Sequence, residues 1–490
     1  MTDILLVNLP KFEPNIIPSA LAILKGIANN CKLNTKIVDF NLDWIDRCFN
    51  NKLDRNLILS NIHYIQGPQK KYKHYIDLII KDWANQIVND PPKMLAISIF
   101  SYYGQYFAKE LSRLVKEKSP SVYIIIGGPG VSDALHEKPV FAHYMYNNKL
   151  IDKFVQGPAE ESWLEILNDF FNLRLIKLNN TFLDSNYTTD YSDFEFERYR
   201  NNANRFTPYL KNTVIITYSA SEGCVRKCDF CEIHRYWNFK QRTADQVKKN
   251  LQPLINAVAD CHIEFTDSLV NGSLTEFEKI LDFLIEIKAQ HPNFTWSGQY
   301  IVRNHKNYPE IFYSKISRSG GCKLHIGVET GSDNLRQKMN KSFTNQDLDY
   351  TLKMFKKYGI TCTILLFVGH PEETDKDFQD TIDMFTKYAC YATNIIGSVQ
   401  PNSAMTVHKN TPLYDKAAEL GIKLTADPAL WFCSTNPTLT FAERMRRRLI
   451  LGEHLQKLNY KMAFDNFVTL DEYAINYSKY KHAIGIINRN

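Results

Sequence analysis

The chain has 490 residues, 44 % of them hydrophobic and 23 % charged, with a net charge of +6. That length gives room for two or three cored domains, and that balance excludes a disordered or collagen-like chain. The charge is too mild to argue for a nucleic-acid partner, and the basic run Glu443-Arg-Met-Arg-Arg-Arg reads as a solvated helix face. From the N-terminus, Asp3-Ile-Leu-Leu-Val-Asn-Leu predicts a buried parallel strand. No charged n-region with a long apolar stretch marks this start as a signal peptide, and no apolar run reaches the length of a membrane span. Pro18-Ser-Ala-Leu-Ala-Ile-Leu-Lys-Gly-Ile-Ala predicts a helix with Pro at an early position. Strands follow at Lys36-Ile-Val-Asp-Phe, Met94-Leu-Ala-Ile-Ser-Ile-Phe, Val122-Tyr-Ile-Ile-Ile-Gly and Asp152-Lys-Phe-Val, with helices over 106–118 and 160–171. Residues 43–90 read as a mainly helical insertion. The alternation implies a doubly wound parallel sheet over residues 1–175. Ligands bind such sheets outside the strands' carboxyl ends, which here carry Asn8-Leu-Pro, Ser101-Tyr-Tyr-Gly and Gly127-Gly-Pro-Gly. Gly127 and Gly128 are therefore candidates for close backbone approach to a bound group, with a plain tight turn as the alternative.

Residues 176–205 are polar and aromatic-rich, with little periodicity, and read as a linker. Over 206–400, strands at 213–218, 262–267, 294–301, 322–329, 360–368 and 394–400 alternate with helices. Thr344 with Asp347 reads as one helix N-terminus. Six such units predict a partial (βα)6 TIM-type barrel, whose chemistry belongs at the strands' carboxyl ends. Directly after the first strand stand Cys224, Cys228 and Cys231, spaced C-x3-C-x2-C, with no other cysteine between Cys48 and Cys261. Closed metal sites normally take four protein ligands, so three thiolates leave a position open. His234 makes a Cys3His zinc site a chemical alternative, and buried core thiols are another. Later strand ends carry Asp267, Arg303, Glu329, Ser332 and Gly369; taken singly, each reads equally as a cap or an ion pair. Cys261, Cys322, Cys362, Cys390 and Cys433 lack the pairing of a second cluster, although Cys433 lies in a non-periodic stretch that could face a substrate. No disulfide framework is visible, which fits a reducing cytoplasm. Residues 401–490 read as a mainly helical region, with helices at 441–458 and 471–487.

The run Cys-x3-Cys-x-Phe-Cys after the apolar strand Thr213-Val-Ile-Ile-Thr resembles the signature of the radical S-adenosylmethionine (SAM) enzymes. The resemblance implies a 4Fe–4S cluster on Cys224, Cys228 and Cys231, with SAM chelated at the open iron. An external one-electron reductant would then drive cleavage of SAM to methionine and a 5′-deoxyadenosyl radical. It also implies that Phe230 and Gly369 lie near the adenine, and Glu329 and Ser332 near the ribose and methionyl group. Asp267 and Arg303 are expected in the same pocket, Arg303 pairing with the SAM carboxylate.

The first domain is similar to the cobalamin-binding domain found N-terminal to many such enzymes. The likeness runs through the opening strand, Pro18, Asp39, Gly127-Gly-Pro and Gly157 to Glu161. It departs in lacking the Asp-x-His-x-x-Gly motif whose histidine ligates cobalt; His63 and His74 stand in other contexts. The expectation is cobalamin-dependent methyl transfer to an unactivated carbon of a small molecule or peptide. The alternatives are radical cyclisation, oxidation or rearrangement without cobalamin, and a zinc- and nucleic-acid-binding module; nucleic acid is not the expected partner.

Overall fold

The computed structural model describes residues 2–54, 58, 62–132, 139–157, 159–173, 189–206, 210, 212–258, 260–425 and 428–462, without the side chains of 401–404. The chain divides into two compact units, Met1–Thr217 with Asp245–His262, and Tyr218–Ala244 with Ile263–Asn490.

The first unit contains β1 (Ile4–Asn8), β2 (Ile16–Ile17), β3 (Thr35–Asp39), β4 (Met94–Ser98), β5 (Tyr123–Gly127) and β6 (Lys153–Phe154). Five of them form a parallel sheet in the order β3-β1-β4-β5-β6, so the order reverses between β1 and β4. This is the doubly wound sheet expected, with its switch point at the ends of β1 and β4. The central strands β1, β4 and β5 are near-continuous apolar runs, as expected of strands buried on both faces, whereas the outer β3 and β6 carry Lys36 and Lys153. The 43–90 insertion is helical, over Phe40–Asn50 and Lys70–Asn89. Asp39 caps the first of these helices through the N–H of Leu42. Phe40 stacks on Trp83 with ring centroids 4.7 Å apart, joining the two helices in the core.

Two features of this unit were not legible. Within the stretch read as a linker, Phe196–Phe206 is a helix. It buries only Tyr199, Asn202 and Ala203, too few apolar positions to show a period. The segment before it is pinned by the buried Lys25, whose ammonium lies 2.7 Å from Asp193. The second feature is β2, which leaves the five-stranded sheet and pairs in parallel with β7 (Val214–Tyr218), Ile16 opposite Ile215 and Ile17 opposite Ile216.

In the second unit a short antiparallel pair, β8 (Ser221–Glu222) with β9 (Lys240–Gln241), brackets the cysteines. β10 (Cys261–Phe265), whose last three residues belong to this unit, precedes β11 (Thr295–Tyr300), β12 (Gly321–Glu329), β13 (Thr361–Val368) and β14 (Ile396–Ala404). They lie side by side in chain order, each followed by helix up to β13. Burial alternates along β12: Leu324, Ile326 and Val328 are buried, while Lys323, His325 and Glu329 are half-buried on the other face. Thr344 and Asp347 form the expected capping box, and Thr374 with Asp377 forms a second. β14 runs to Ala404, past the boundary expected at 400. Beyond it, Leu413, Trp431, Cys433 and Leu439 join a small core, so Cys433 is buried rather than facing a substrate. The helix expected at 441–458 is present as Phe441–Lys457, whereas the one at 471–487 lies outside the described residues. No described helix is long and apolar enough to cross a membrane.

Candidate functional site

The cysteine loop begins where β7 ends, and its base is built by Asp267. That carboxylate, 2 % exposed, accepts the N–H of Ala220 at 3.0 Å and the hydroxyl of Ser221 at 2.5 Å. Burial pushes its pKa up to about 6, against the pull of these hydrogen bonds. Asp267 is thus engaged inside the protein and holds the loop rather than facing a ligand. Gly223, with φ of +74°, begins the turn into Cys224; a Cβ there would lie 2.7 Å from the carbonyls of Trp237 and Asn238. Only glycine permits that crossing of the loop's two ends.

Cys228 is buried, Cys224 and Cys231 are half-buried, and all three are free thiols. Burial pushes Cys228 up to about 11 and raises Cys231; Cys224 adds to both shifts, and Cys231 adds to that of Cys228. Lys341 opposes this and favours both thiolates. Desolvated thiolates are stabilised by a bound cation, and three soft sulfur donors suit iron–sulfur ligation. Among the described residues no three cysteine, histidine or carboxylate groups already converge on one ion-sized point. In a four-iron cluster each cysteine takes a separate iron, so the triad fits a cluster with one corner left free.

Glu329 ends β12 in the left-handed region, φ +64°, and its Oε1 accepts from Lys341 at 2.6 Å. A non-glycine residue there is uncommon, and its backbone costs about 1–2 kcal/mol. Lys341 also stands 5.7 Å from the centre of the Phe230 ring. Phe230 packs edge-on against Phe367, with ring centroids 5.1 Å apart. Arg303 donates to the carbonyl oxygens of Asn271 and Gly272, and its buried Nε has no partner. Arg226 donates to the carbonyl of Val302 at 3.2 Å, and burial together with its neighbour Arg226 lowers the pKa of Arg303. Two guanidiniums beside Cys224, each on neutral carbonyls, form a positive wall suited to a carboxylate.

Two expected pocket residues prove to be structural. Ser332 is 1 % exposed; it caps the helix Asp333–Lys338 and donates to Asp377 at 2.5 Å. Gly369, with φ of +85°, gives its N–H to Glu373 at 2.9 Å, and a Cβ on it would lie 2.4 Å from Cδ of Arg444. Its lack of a side chain makes room for that arginine.

The arginine run was misread as a solvated face for the same reason. Arg444 and Arg447 are 0 % and 3 % exposed, while Arg446 points outward. Their three-residue spacing sets both on the buried side of the helix. Arg444 lies 3.7 Å from the centre of the Trp431 ring and donates to the carbonyls of Ala429, Trp431 and Leu439. Without a carboxylate partner, burial lowers its pKa to about 9. Arg447 pairs with Glu373 at 3.0 Å, and burial pushes that carboxyl up to about 7.

Sequence reasoning missed Lys341, Arg226, Asp229 and His370. His370, 0 % exposed, places Nε2 3.1 Å from Asp229 Oδ2. The signal was present in Gly369-His-Pro, which was noted only for its glycine.

In the first unit, a cavity of about 290 Å³ opens at the carboxyl ends of β4 and β5. Ala20, Leu21 and Leu24 line one wall, Ala96, Gly127 and Gly128 the floor, and Trp163 closes the side. Gly128 has φ of +98°, and a Cβ there would lie 2.6 Å from the Ile99 carbonyl oxygen. Gly127 would meet only Val155, at 3.7 Å, so it lines the cavity without being sterically required. Beyond the end of β4, Phe100 and Tyr102 are 49 % and 47 % exposed, and Phe12 packs edge-on to Phe100. That is a large apolar surface for a free edge.

Residues 218–385 match the family described as the radical SAM superfamily. The ribosomal protein uS12 methylthiotransferase RimO of Bacteroides fragilis is 28 % identical over 177 residues, covering 34 % of this chain and 40 % of that protein. The chain thus matches well under half the length of that relative. An uncharacterized methyltransferase of Pyrococcus horikoshii is 21 % identical over 352 residues, covering 67 % of this chain and 72 % of that protein. Among solved structures, the radical SAM methyltransferase TsrM from Kitasatospora setae, with cobalamin and a [4Fe-4S] cluster bound, superposes with a TM-score of 0.58 at 15 % identity, covering 88 % of this chain and 82 % of that one. The cobalamin-dependent radical enzyme OxsB, with aqua-cobalamin bound, gives 0.63 at 14 % identity, covering 92 % and 67 %. At these identities the likeness establishes a common fold.

Proposed function

We propose that this chain, a radical SAM superfamily enzyme, transfers a methyl group to an unactivated carbon of a small molecule or peptide, using a cobalamin held by its first unit. The observation that carries the reading is the three-thiol loop at the end of β7, in a chain whose other sheet opens an apolar cavity at its own carboxyl ends. Cys224, Cys228 and Cys231 would hold the cluster. Arg226 and Arg303 offer positive charge for the SAM carboxylate, and Glu329 offers an acceptor for its amino group or ribose hydroxyls. Phe230 and Phe367 present an apolar wall that excludes water from the reacting atoms. Gly127, Gly128 and Trp163 shape a cavity that would take one arm of the cobalamin, and Phe12, Phe100 and Tyr102 offer an apolar edge beside it. When bound, these groups supply one-electron cleavage of SAM and carriage of the methyl group; the protein positions them. The electron comes from an external one-electron donor, in keeping with a reducing cytoplasm.

Burial of Arg444 and Arg447 takes two of that run's charges off the surface and so weakens the charge argument for nucleic acid. A second reading, radical chemistry without cobalamin, is favoured by one observation: among the described residues no histidine lines the first unit's cavity. Anaerobic purification with cobalamin supplied separates the readings. About four irons per chain are expected, and they should be lost in Cys228→Ala. Bound zinc with no iron would refute the cluster. Stoichiometric cobalt supports methyl transfer, whereas 5′-deoxyadenosine formation without cobalt supports the second reading.

A further inference from the structure

We propose that His370 is the positioning residue of the cysteine loop, fixing Asp229 and with it the spacing between Cys228 and Cys231. The proposal rests on the cluster reading above. Asp229 stands between Cys228 and Phe230 and is held from three directions. Its N–H donates to the carbonyl of Met339 at 3.1 Å, and its own carbonyl accepts the N–H of Leu413 at 2.8 Å. Its Oδ2 lies 3.1 Å from His370 Nε2, and its buried Oδ1 has no partner. The imidazole therefore supplies the only side-chain hydrogen bond to this carboxylate among the described residues.

The ring's own geometry fixes its role. Nδ1 accepts the N–H of Glu372 at 3.3 Å, so the proton of the neutral ring sits on Nε2 and is donated to Asp229. The turn that carries His370 is itself anchored at both ends. Gly369 N–H binds Glu373 Oε2 at 2.9 Å, and that carboxylate is paired with Arg447 at 3.0 Å. The Asn436 amide donates to the carbonyls of Pro371 at 3.2 Å and Glu373 at 3.0 Å. A rigid, fully buried donor thus meets the loop at the residue next to a cluster ligand. Without it, a buried carboxylate would have no side-chain partner and would pull the loop toward water.

The test compares the full-length enzyme with His370→Leu and His370→Gln after anaerobic reconstitution. Iron content, the EPR spectrum of the reduced cluster and the rate of iron removal by a chelator are measured. Partners that orient metal ligands commonly govern metal affinity by 10- to 100-fold, so H370L should lose iron about tenfold faster and show an altered spectrum. H370Q, whose amide nitrogen reaches the position of Nε2, should stay within about twofold of the wild type on the same grounds. An H370L cluster with wild-type spectrum and stripping rate would overturn the proposal, as would failure of H370Q to restore both. If circular dichroism shows H370L to be unfolded, Asp229→Ala removes the acceptor instead, and the same loss is expected. A wild-type enzyme that takes up no iron would sink the cluster reading, and this proposal with it; an unchanged H370L sinks this proposal alone.

Discussion

Gly369→Ala separates two explanations for one glycine. If Gly369 serves a bound adenine, the added methyl group weakens SAM binding and leaves stability unchanged. The structure argues the opposite. At φ of +85° an alanine is in the left-handed region, which costs about 1–2 kcal/mol. Its Cβ would also lie 2.4 Å from Cδ and 2.5 Å from Cγ of Arg444, so the arginine stem must shift. That shift strains charged hydrogen bonds to the carbonyls of Ala429, Trp431 and Leu439, each worth about 1.5–3 kcal/mol. Losing one of them with the backbone term gives about 2.5–5 kcal/mol in total. Urea unfolding followed by tryptophan fluorescence is a suitable assay, because Trp431 lies directly under the guanidinium. A double-mutant cycle with Arg444→Ala isolates the steric part, and a coupling of about 1–2 kcal/mol is expected. Equal costs of the glycine change with and without Arg444, or lost SAM binding at unchanged stability, would refute the reasoning.

Asp267 gives a pH signature. Its folded pKa of about 6 stands above the usual 3.8, so its contribution is complete below about pH 4 and falls by about 3 kcal/mol as pH rises through 6. Asp267→Asn should flatten that part of the stability-versus-pH curve, and an unaltered slope in denaturation at successive pH values would count against burial as its origin. Ala20→Trp projects an indole into the first unit's cavity of about 290 Å³. It should abolish cobalamin retention while leaving iron content at the wild-type level; a variant that keeps its cobalt would show that the cavity is not the corrinoid site.

The strands were legible because buried parallel strands write themselves as unbroken apolar runs, and the capping box at Thr344 because its two partners are local in sequence. The triad stood out for the same reason, since its three cysteines share one short loop. The roles of Ser332, Asp267 and Gly369 were not, because each depends on a partner far away in the chain: Asp377, Ser221 and Arg444. A polar residue at a strand end looks the same whether it serves a ligand or a neighbouring element. The arginine run misled for a related reason. Charge in a sequence says nothing of burial, and only the fold reveals that carbonyls and the Trp431 ring receive Arg444. Glu329 was found at the right strand end, but its strained backbone and its Lys341 partner could come only from coordinates.

The pairing of Ile16–Ile17 with β7 constrains how this polypeptide can be divided. Val214, Ile215 and Ile216 are almost wholly buried, and one side of that strand is closed by residues some 200 positions earlier in the chain. Ser19 adds a hydroxyl contact to Thr217 at 2.7 Å. A protein shortened to begin at residue 206, the start expected for the second domain from the sequence, would carry an unpaired apolar edge immediately before its cysteines. Such edges recruit other strands and drive aggregation. Residues 16 and 17 therefore belong with β7 in any fragment, and insolubility of one that begins at residue 206 would be expected from a missing strand rather than a missing cofactor.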